Sequence, residues 1–238
     1  RDGGFPLRIT LLCPQAQLLP NVAPPSLAQR IGAAAQAQGI RLLTGHWPAA
    51  FVGTERIEAA VLDDDSVLSA DLAIMSAGVR LNTALAREAG LQLAEHSAIV
   101  VDERLRTDDP NVYAAGEIAA LPVGNRASAT LGRRLQVINW EQACVQGRIA
   151  GRNVAGSAET CSTLTHRALD LFGVRLEIWG DLGHWDYTLV RDSGRSIYYL
   201  HRDQLIAALA VAPSEAIRQR MGDLVPAAPA YRHLSGAL

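Results

Sequence analysis

The sequence around residue 75 reads Ser69-Ala-Asp-Leu-Ala-Ile-Met-Ser-Ala-Gly-Val-Arg80, which predicts a buried strand over Leu72–Met75 that ends in small residues and a glycine. A second stretch, Asn111-Val-Tyr-Ala-Ala-Gly-Glu117, ends in the same way and adds an acid after the glycine. Where a strand ends without bulky side chains, a flat or phosphorylated ligand can approach the backbone at the carboxyl edge of a sheet. Both stretches therefore predict ligand-binding strand ends.

The segment before the first stretch alternates between strand and helix. Leu7–Leu12 is an apolar, β-branched run typical of a strand inside a parallel sheet, and Cys13-Pro14 ends it. Ser26 and Gln29 have capping-box spacing, which predicts a helix that begins there and ends at Gly39, before a strand over Ile40–Leu43. A strand, a helix and a strand in this order form half of a doubly wound α/β fold.

The middle of the chain carries further elements of the same kind. The patterns predict a hairpin of Arg56–Leu62 with Val67–Leu68, a helix over Thr83–Ala89, strands over Ala98–Val101 and Val112–Ala115, and a helix over Trp140–Val154 capped by Asn139. Residues 121–136 are typical of a loop. In the long helix, Ala143, Gly147 and Gly151 recur every four residues, which predicts a flat face for close backbone packing.

The last third of the chain changes character. Strands are predicted over Arg175–Trp179, Tyr187–Val190, Ser196–Leu200 and Gln204–Val211, followed by a helix from Ser214 to Met221. An antiparallel meander with one helix indicates a separate α+β domain. We therefore expect a domain boundary between residues 157 and 158, with residues 158–238 as a separate domain.

Composition narrows the function classes. The 238-residue chain has a formal net charge of -2 without long runs of either sign, which disfavours nucleic-acid and anionic-membrane partners. No apolar run reaches the ~18 residues that a membrane span needs. The cysteines, three in number, are far apart, and the six histidines lack metal-ligand spacing, so we predict neither a dithiol relay nor a metal site. A cytoplasmic setting is expected, since no secretory signal is visible.

Three segments together are similar to one known family. Leu105-Arg-Thr-Asp-Asp-Pro-Asn-Val-Tyr-Ala-Ala-Gly-Glu117, Ala77-Gly-Val-Arg-Leu-Asn82 and Val137-Ile-Asn-Trp-Glu-Gln-Ala143 resemble signature segments of the FAD-dependent pyridine nucleotide-disulphide oxidoreductases, in the branch of the ferredoxin, rubredoxin and nitrite reductases. The resemblance covers nearly the whole chain. It implies a partial two-dinucleotide-fold (FAD/NAD(P)-binding, Rossmann-like) architecture followed by a small α+β domain, and residues 1–79 and 80–157 would be parts of the NAD(P)- and FAD-binding domains.

The resemblance also implies roles for particular residues. Gly78 would lie near the nicotinamide nucleotide, although a glycine needed only for an interdomain turn would look the same. Glu117, the acid at the end of the second stretch, would bind a hydroxyl of FAD. Aspartate is usual at this position in the family. The alternative is a turn whose acid is solvated. The first turn of the long helix would stabilise the reduced flavin through its partial positive charge. The implied cofactor-binding residues are Gly78, Gly116, Glu117, Ile118, Glu141, Gln142 and Ala143.

The chain also departs from the family pattern. Neither phosphate-binding Gly-x-Gly-x-x-Gly fingerprint is present, so the chain is expected to begin after the second one and to need an amino-terminal segment from the same gene or a second chain. Cys13-Pro14 replaces the acid that would favour NADH, and no arginine cluster favours NADPH. The chain alone is therefore expected to be inactive and to bind FAD poorly.

Three functions remain open at this stage. The first is a part of a flavin-dependent NAD(P)H oxidoreductase that passes hydride from nicotinamide to FAD and then electrons to ferredoxin, rubredoxin, a siroheme domain or dioxygen. The second is a non-catalytic scaffold or electron-carrier docking module derived from that fold. A quinone-reducing NADH dehydrogenase ranks third, because residues 213–238 lack a clean apolar face. The exposed edge of the final meander permits a homodimer.

Overall fold

The computed structural model describes residues 7–94, 97–122, 140–161, 166–180, 182 and 185–234, together with the backbone of residues 134–136. Its contacts divide the chain into two compact units. One unit contains Arg1–Gly78 and Ala168–Leu176, and the other contains Val79–Arg167 and Glu177–Leu238. The predicted boundary between residues 157 and 158 stays a prediction.

The first unit begins with a parallel strand pair. Strand β1 (Ile9–Cys13) pairs with β2 (Ile40–Thr44), and helix α1 (Pro25–Ala37) connects them, as the sequence predicts. The predicted cap at Ser26 is wrong. Helix α1 is capped by Pro24 without a side-chain hydrogen bond, because the fixed φ of Pro25 already suits a first helical turn, so the cap lies two residues before Ser26.

An antiparallel sheet of three strands follows in the same unit. Strands β3 (Pro48–Val52), β4 (Ala59–Leu62) and β5 (Val67–Ser69) pair in chain order. The predicted hairpin between β4 and β5 is confirmed, whereas β3 was not predicted from the sequence. Its five residues include Pro48 and two alanines, which carry little strand propensity of their own.

The predicted buried strand over Leu72–Met75 is wrong. These residues form no strand and are exposed, Ile74 to 87%. Burial of an apolar segment stabilises the folded chain. A strand also needs a neighbouring strand whose backbone groups complete its hydrogen bonds. Among the residues that the structure describes, no strand pairs with this run.

The second unit opens with a short helix and a small mixed sheet. Helix α2 (Ala84–Glu88) is followed by β6 (Ile99–Val100), which pairs in parallel with β7 (Ala119–Pro122); β7 pairs antiparallel with β8 (Arg134–Gln136). The predicted strand over Val112–Ala115 is wrong, since only an isolated bridge joins Tyr113 to Arg106. The predicted loop over residues 121–136 is wrong at both ends, because β7 extends to Pro122 and β8 occupies Arg134–Gln136, while residues 123–133 lie outside the described residues.

Helix α3 (Trp140–Val154) packs on this sheet region and completes its core. The side chains that it contributes are Ile149 and Ala150, which contact buried residues of the preceding segments, among them Leu105 and Leu121. The helix is confirmed where it was predicted, whereas the predicted cap, Asn139, lies outside the described residues.

The remaining chain forms a sheet of five strands and two helices. The strands are β9 (His166–Leu171), β10 (Val174–Gly180), β11 (Tyr187–Arg191), β12 (Ser196–His201) and β13 (Gln204–Val211), and their order across the sheet is β11-β12-β13-β10-β9. Helices α4 (Glu215–Ala227) and α5 (Tyr231–Leu234) follow. The predicted strands and closing helix are confirmed, but the meander holds only for β11, β12 and β13, because β10 lies beside β13 instead of β11; β9 was not predicted. The Ser214 hydroxyl accepts a hydrogen bond from the N–H of Ile217, as a cap should.

Helix α4 buries Met221 and Val225 against Tyr198, Leu205 and neighbouring apolar side chains of the sheet. No helix in the described part of the chain combines the length and apolarity that crossing a membrane requires.

Candidate functional site

The segment that resembles the FAD signature begins with a tightly bonded turn. The Asp102 carboxylate accepts hydrogen bonds from the backbone N–H groups of Arg104 (2.8 Å) and Arg106 (2.9 Å) and pairs with the Arg106 guanidinium at 3.3 Å. Leu105 between them has a φ of 66° and is fully buried. Burial of that leucine offsets the strain that a positive φ imposes on a residue with a Cβ.

Side-chain and backbone bonds continue along the same segment. The Thr107 hydroxyl donates to the carbonyl of Asp109 at 3.0 Å and accepts from its N–H at 3.2 Å, and the Thr107 N–H donates to the carbonyl of Val112. The N–H of Ala114 donates to the carbonyl of Leu105. The segment is therefore a self-bonded loop that brings the chain to Gly116 in one defined position.

Gly116 is the point where this loop meets helix α3. Its N–H donates a 2.7 Å hydrogen bond to Oε1 of Gln146, and an added Cβ would lie 3.6 Å from the Cβ of Ala143. Its φ of 83° falls in the left-handed region that favours glycine. Gly116 and Ala143, two of the predicted site residues, are thus brought together.

Glu117 and Ile118 follow in a single 3₁₀ turn over Gly116–Ile118, just before β7 begins. Both side chains are half-buried. The acid therefore stands on a rigid corner between the loop and a sheet strand, but its predicted contact with a ribityl hydroxyl stays a prediction.

Helix α3 packs through a different stripe from the predicted one. Gly147 and Gly151 are exposed and would have no neighbour within 4 Å of an added Cβ. The buried positions are Gln146, Ile149, Ala150 and Asn153, spaced by three and four residues. Two of these four residues are polar, so the pattern of small and apolar residues in the sequence does not reveal this buried face.

Asn153, which the sequence analysis did not single out, fixes the other end of α3. Its side-chain N–H₂ donates to the carbonyls of Arg104 (2.9 Å) and Glu159 (2.8 Å), and its oxygen accepts from the N–H of Glu159 at 2.8 Å. Together with Gln146, this residue joins α3 to both ends of the loop that leads to Gly116. No spacing pattern would have found it.

The first turn of α3 holds the remaining predicted residues. Glu141 is exposed, whereas Gln142 and Ala143 are half-buried. Gly78 lies at the end of the first unit, in an exposed stretch with a φ of 99° and open space where a Cβ would be. The predicted roles of these residues in cofactor binding stay predictions.

A separate polar cluster joins two strands of the last sheet to helix α4. Glu177 is 1% exposed; both its carboxylate oxygens accept from Arg218 Nε, at 3.0 and 3.1 Å, and His166 Nε2 lies 3.2 Å away. Burial raises the pKa of Glu177, but the hydrogen bonds from Arg218 and His166 and their charges outweigh it and hold the pKa below its ordinary value. The His166 ring stacks on Trp179 with centroids 4.9 Å apart.

Comparison with known proteins supports the flavoprotein resemblance. Residues 4–147 match the family described as pyridine nucleotide-disulphide oxidoreductase. An NADH oxidase of Methanocaldococcus jannaschii is 30% identical over 167 residues, which are 69% of this chain and 35% of that protein. Human apoptosis-inducing factor 3 is 25% identical over 64% of this chain and 25% of its own length.

Solved structures agree in fold. A ferredoxin reductase from Rhodopseudomonas palustris matches with a TM-score of 0.79 at 23% identity, over 94% of this chain and 55% of that one. The covalent complex of putidaredoxin reductase with putidaredoxin matches with a TM-score of 0.78 at 25% identity, over 92% of this chain and 54% of that chain. The chain therefore spans about a third or less of these curated relatives and just over half of these structures. It is a mixed α/β protein that belongs to the pyridine nucleotide-disulphide oxidoreductase family.

Proposed function

We propose that this chain is part of a flavin-dependent NAD(P)H oxidoreductase, which passes hydride from nicotinamide to FAD and electrons to an acceptor. The docking of Gly116 onto α3 carries the proposal, because it builds a rigid corner from residues of two signature segments. When bound, FAD would supply the redox chemistry, so the protein's task is to bind and orient it.

The groups around this corner suit a hydroxylated, partly anionic ligand. Glu117 offers a carboxylate acceptor for a hydroxyl group. Gln146, whose Oε1 accepts from the N–H of Gly116, has a buried Nε2 with no hydrogen-bond partner among the residues that the structure describes. An unpaired buried donor costs free energy, and an acceptor atom of a bound ligand would remove that cost by accepting its hydrogen bond.

The first turn of α3 is proposed to stabilise the negative charge of the reduced flavin. Helix amino termini carry about half a positive charge and unpaired N–H groups. Glu141, Gln142 and Ala143 belong to that turn, and the half-buried Gln142 and Ala143 are the best placed to face a ligand. Gly78 is proposed to border the nicotinamide nucleotide.

An amino-terminal segment bearing the phosphate-binding fingerprints is the first partner that the proposal requires. The exposed run Leu72–Met75 supports it, since this apolar stretch would form a strand if another strand lay beside it. The segment would belong to the same polypeptide or to a second chain, and the chain without it is proposed to be inactive.

A small electron-carrier protein is the proposed acceptor class. Support comes from the solved complex of a similar reductase with putidaredoxin. Ferredoxin, rubredoxin, a siroheme domain and dioxygen stay candidates, as do NADH and NADPH as donors, a cytoplasmic location and a homodimer.

The test measures flavin in the protein produced from its complete reading frame. We expect one FAD per chain and reduction of the flavin by NADH or NADPH. Glu117→Ala should weaken FAD binding by roughly 10- to 100-fold, the loss expected for a hydrogen bond to a charged group. Glu88→Ala, at an exposed acid of α2, is the matched control and should bind FAD normally.

A protein from the complete reading frame that binds neither FAD nor a nicotinamide nucleotide would instead favour the scaffold or docking module. Equal FAD affinity in Glu117→Ala and Glu88→Ala would show that Glu117 does not contribute to FAD binding, without contradicting the proposed function. Stoichiometric FAD binding by residues 1–238 alone would contradict only the need for the amino-terminal segment.

A further inference from the structure

Three metal-ligating side chains meet on the sheet formed by β3, β4 and β5. His46 lies just before β3, and Asp63 and Asp64 form the turn between β4 and β5. His46 Nδ1 lies 3.5 Å from Oδ1 of Asp63 and 3.6 Å from Oδ2 of Asp64. One donor atom from each of the three residues lies within 4.8 Å of the other two. The cluster lies wholly within the first unit and takes no part in the flavin proposal.

The histidine nitrogen in this cluster differs from those of two other ion-paired histidines. His201 Nδ1 and His166 Nε2 each form a hydrogen bond with one carboxylate, at 3.1 and 3.2 Å. His46 Nδ1 is shielded from solvent and forms no hydrogen bond, although two carboxylates flank it. A buried polar atom without a partner costs free energy, and here it points to a group that would sit between the three residues.

Neighbouring bonds hold the carboxylates in place. Oδ1 of Asp64 accepts from the N–H (3.1 Å) and the hydroxyl (2.6 Å) of Ser66, which leaves Oδ2 on the side of His46. Oδ1 of Asp63 accepts from the N–H of Trp47 at 3.2 Å, and the Asp63 N–H donates to the Trp47 carbonyl at 3.1 Å. The donors are thus fixed by the hairpin rather than by one another.

We propose that His46, Asp63 and Asp64 bind a divalent metal ion of the Zn²⁺ type. Two bonds of about 2.1 Å at the tetrahedral angle hold donor atoms ~3.4 Å apart, close to the observed nitrogen–oxygen separations, whereas right-angled octahedral ligands lie only ~3.0 Å apart. A neutral imidazole and two carboxylates carry two negative charges, which a divalent ion balances. Imidazole with carboxylate suits Zn²⁺ better than the all-oxygen sets that Mg²⁺ and Ca²⁺ prefer.

Partial exposure of the three side chains, 35% to 48%, leaves room for water as a fourth ligand. The ion would tie the β4–β5 turn to the segment before β3. A metal bound to the folded state alone adds to its stability, so the ion would stabilise this sheet.

The test uses the untagged chain, freed of metal with a chelator and dialysed against Zn²⁺. We expect one Zn²⁺ per chain, and a higher melting temperature with Zn²⁺ than without it. His46→Gln and Asp63→Asn should each lower the affinity by at least ~10-fold, the smaller loss seen when only an outer partner of a ligand is removed. His201→Gln, which breaks a pair with a single carboxylate, is the matched control and should bind Zn²⁺ like the wild type.

X-ray absorption at the zinc edge of the wild-type chain gives a second measurement that needs no variant. Only nitrogen and oxygen donors, with one imidazole, should surround the ion. Sulfur at the ion would assign it to a cysteine instead and overturn the proposal. Wild-type binding no tighter than that of His46→Gln, or an equal loss in His201→Gln, would overturn it as well.

Discussion

At the scale of single residues, two glycines near helix α3 differ in their backbone conformation. Gly116 adopts a left-handed backbone and packs toward Ala143, whereas Gly147 is an exposed position inside a regular helix. Alanine is strained in the first conformation and favoured in the second. The same substitution should therefore change the free energy of unfolding in opposite directions at the two positions.

Gly116→Ala should lower the free energy of unfolding by about 1–2 kcal/mol, since a non-glycine residue is forced into the left-handed region. Gly147→Ala should raise it by ~0.5–1 kcal/mol through helix propensity. Urea unfolding of both variants measures these changes. Equal effects of the two substitutions would show that the backbone at Gly116 relaxes to another conformation.

The buried carboxylate of Glu177 predicts a pH dependence. Because its pKa is lower in the folded chain than its ordinary 4.5, the folded state holds fewer protons than the unfolded state in that range. The contribution of Glu177 to stability should be complete above the ordinary value and disappear as pH falls through the folded pKa. Melting temperatures measured between neutral and strongly acidic pH should show this loss.

Glu177→Gln should flatten that acid dependence and cost about 2 kcal/mol at neutral pH, since the Arg218 guanidinium loses its charged acceptor. Glu215→Gln is the control, because the Glu215 side chain is 87% exposed although it also pairs with Arg218. If both variants keep the wild-type acid dependence, Glu177 does not carry it.

At the scale of elements, the helices differ in how they begin. Helix α4 starts at a serine whose hydroxyl accepts from the N–H of Ile217 at 3.4 Å. Helix α1 starts at a proline, and the serine beside it plays no part in capping. The sequence favoured a serine cap in both helices, and only Ser26 has a glutamine three residues later, as a capping box requires.

Ser214→Ala should therefore lower the free energy of unfolding by ~0.5–1 kcal/mol, the usual loss for a serine cap. Ser26→Ala should have little effect or stabilise slightly, since alanine is the better helix former inside α1. Thermal melts of the two variants decide the matter. A larger loss in Ser26→Ala would contradict the helix start at Pro25.

Several elements whose partners lie close in the chain were predicted, although β3 was not, and the run that needs a distant partner was wrongly predicted as a buried strand. The strands β4 and β5 and the meander β11–β13 pair with adjacent segments, so local pattern and turn residues were enough. Leu72–Met75 has the composition of a buried strand, but its partner would have to come from elsewhere. In the candidate site, the glycine-acid pattern led to Gly116 and Glu117, whereas Asn153 carries no pattern, and the hydrogen bonds that Gln146 and Asn153 form to the loop are visible only in the structure.

At the scale of the whole molecule, the chain displays an apolar run that a folded protein usually covers. Leu72, Ile74 and Met75 are all largely exposed and lie in one extended stretch. Contiguous apolar surface of this kind marks an interaction site more often than isolated apolar residues do. The binding of a hydrophobic dye by the isolated chain should therefore depend on this run.

The double variant Ile74→Ser with Met75→Ser should reduce fluorescence of the dye ANS relative to the wild-type chain. Val154→Ser is the control, because Val154 is 67% exposed but stands alone at the end of α3. Unchanged dye binding in the double variant would mean that another surface attracts the dye.

The side-chain amides of Gln146 and Asn153 also determine when the loop that leads to Gly116 can finish folding during protein synthesis. Their hydrogen bonds to Gly116 and Arg104 join residues 30 and 49 positions apart. Closing such long loops has an entropic cost before the bonds compensate for it. On the ribosome, the turn around Gly116 must therefore wait, without its buried acceptor, until α3 has left the exit tunnel.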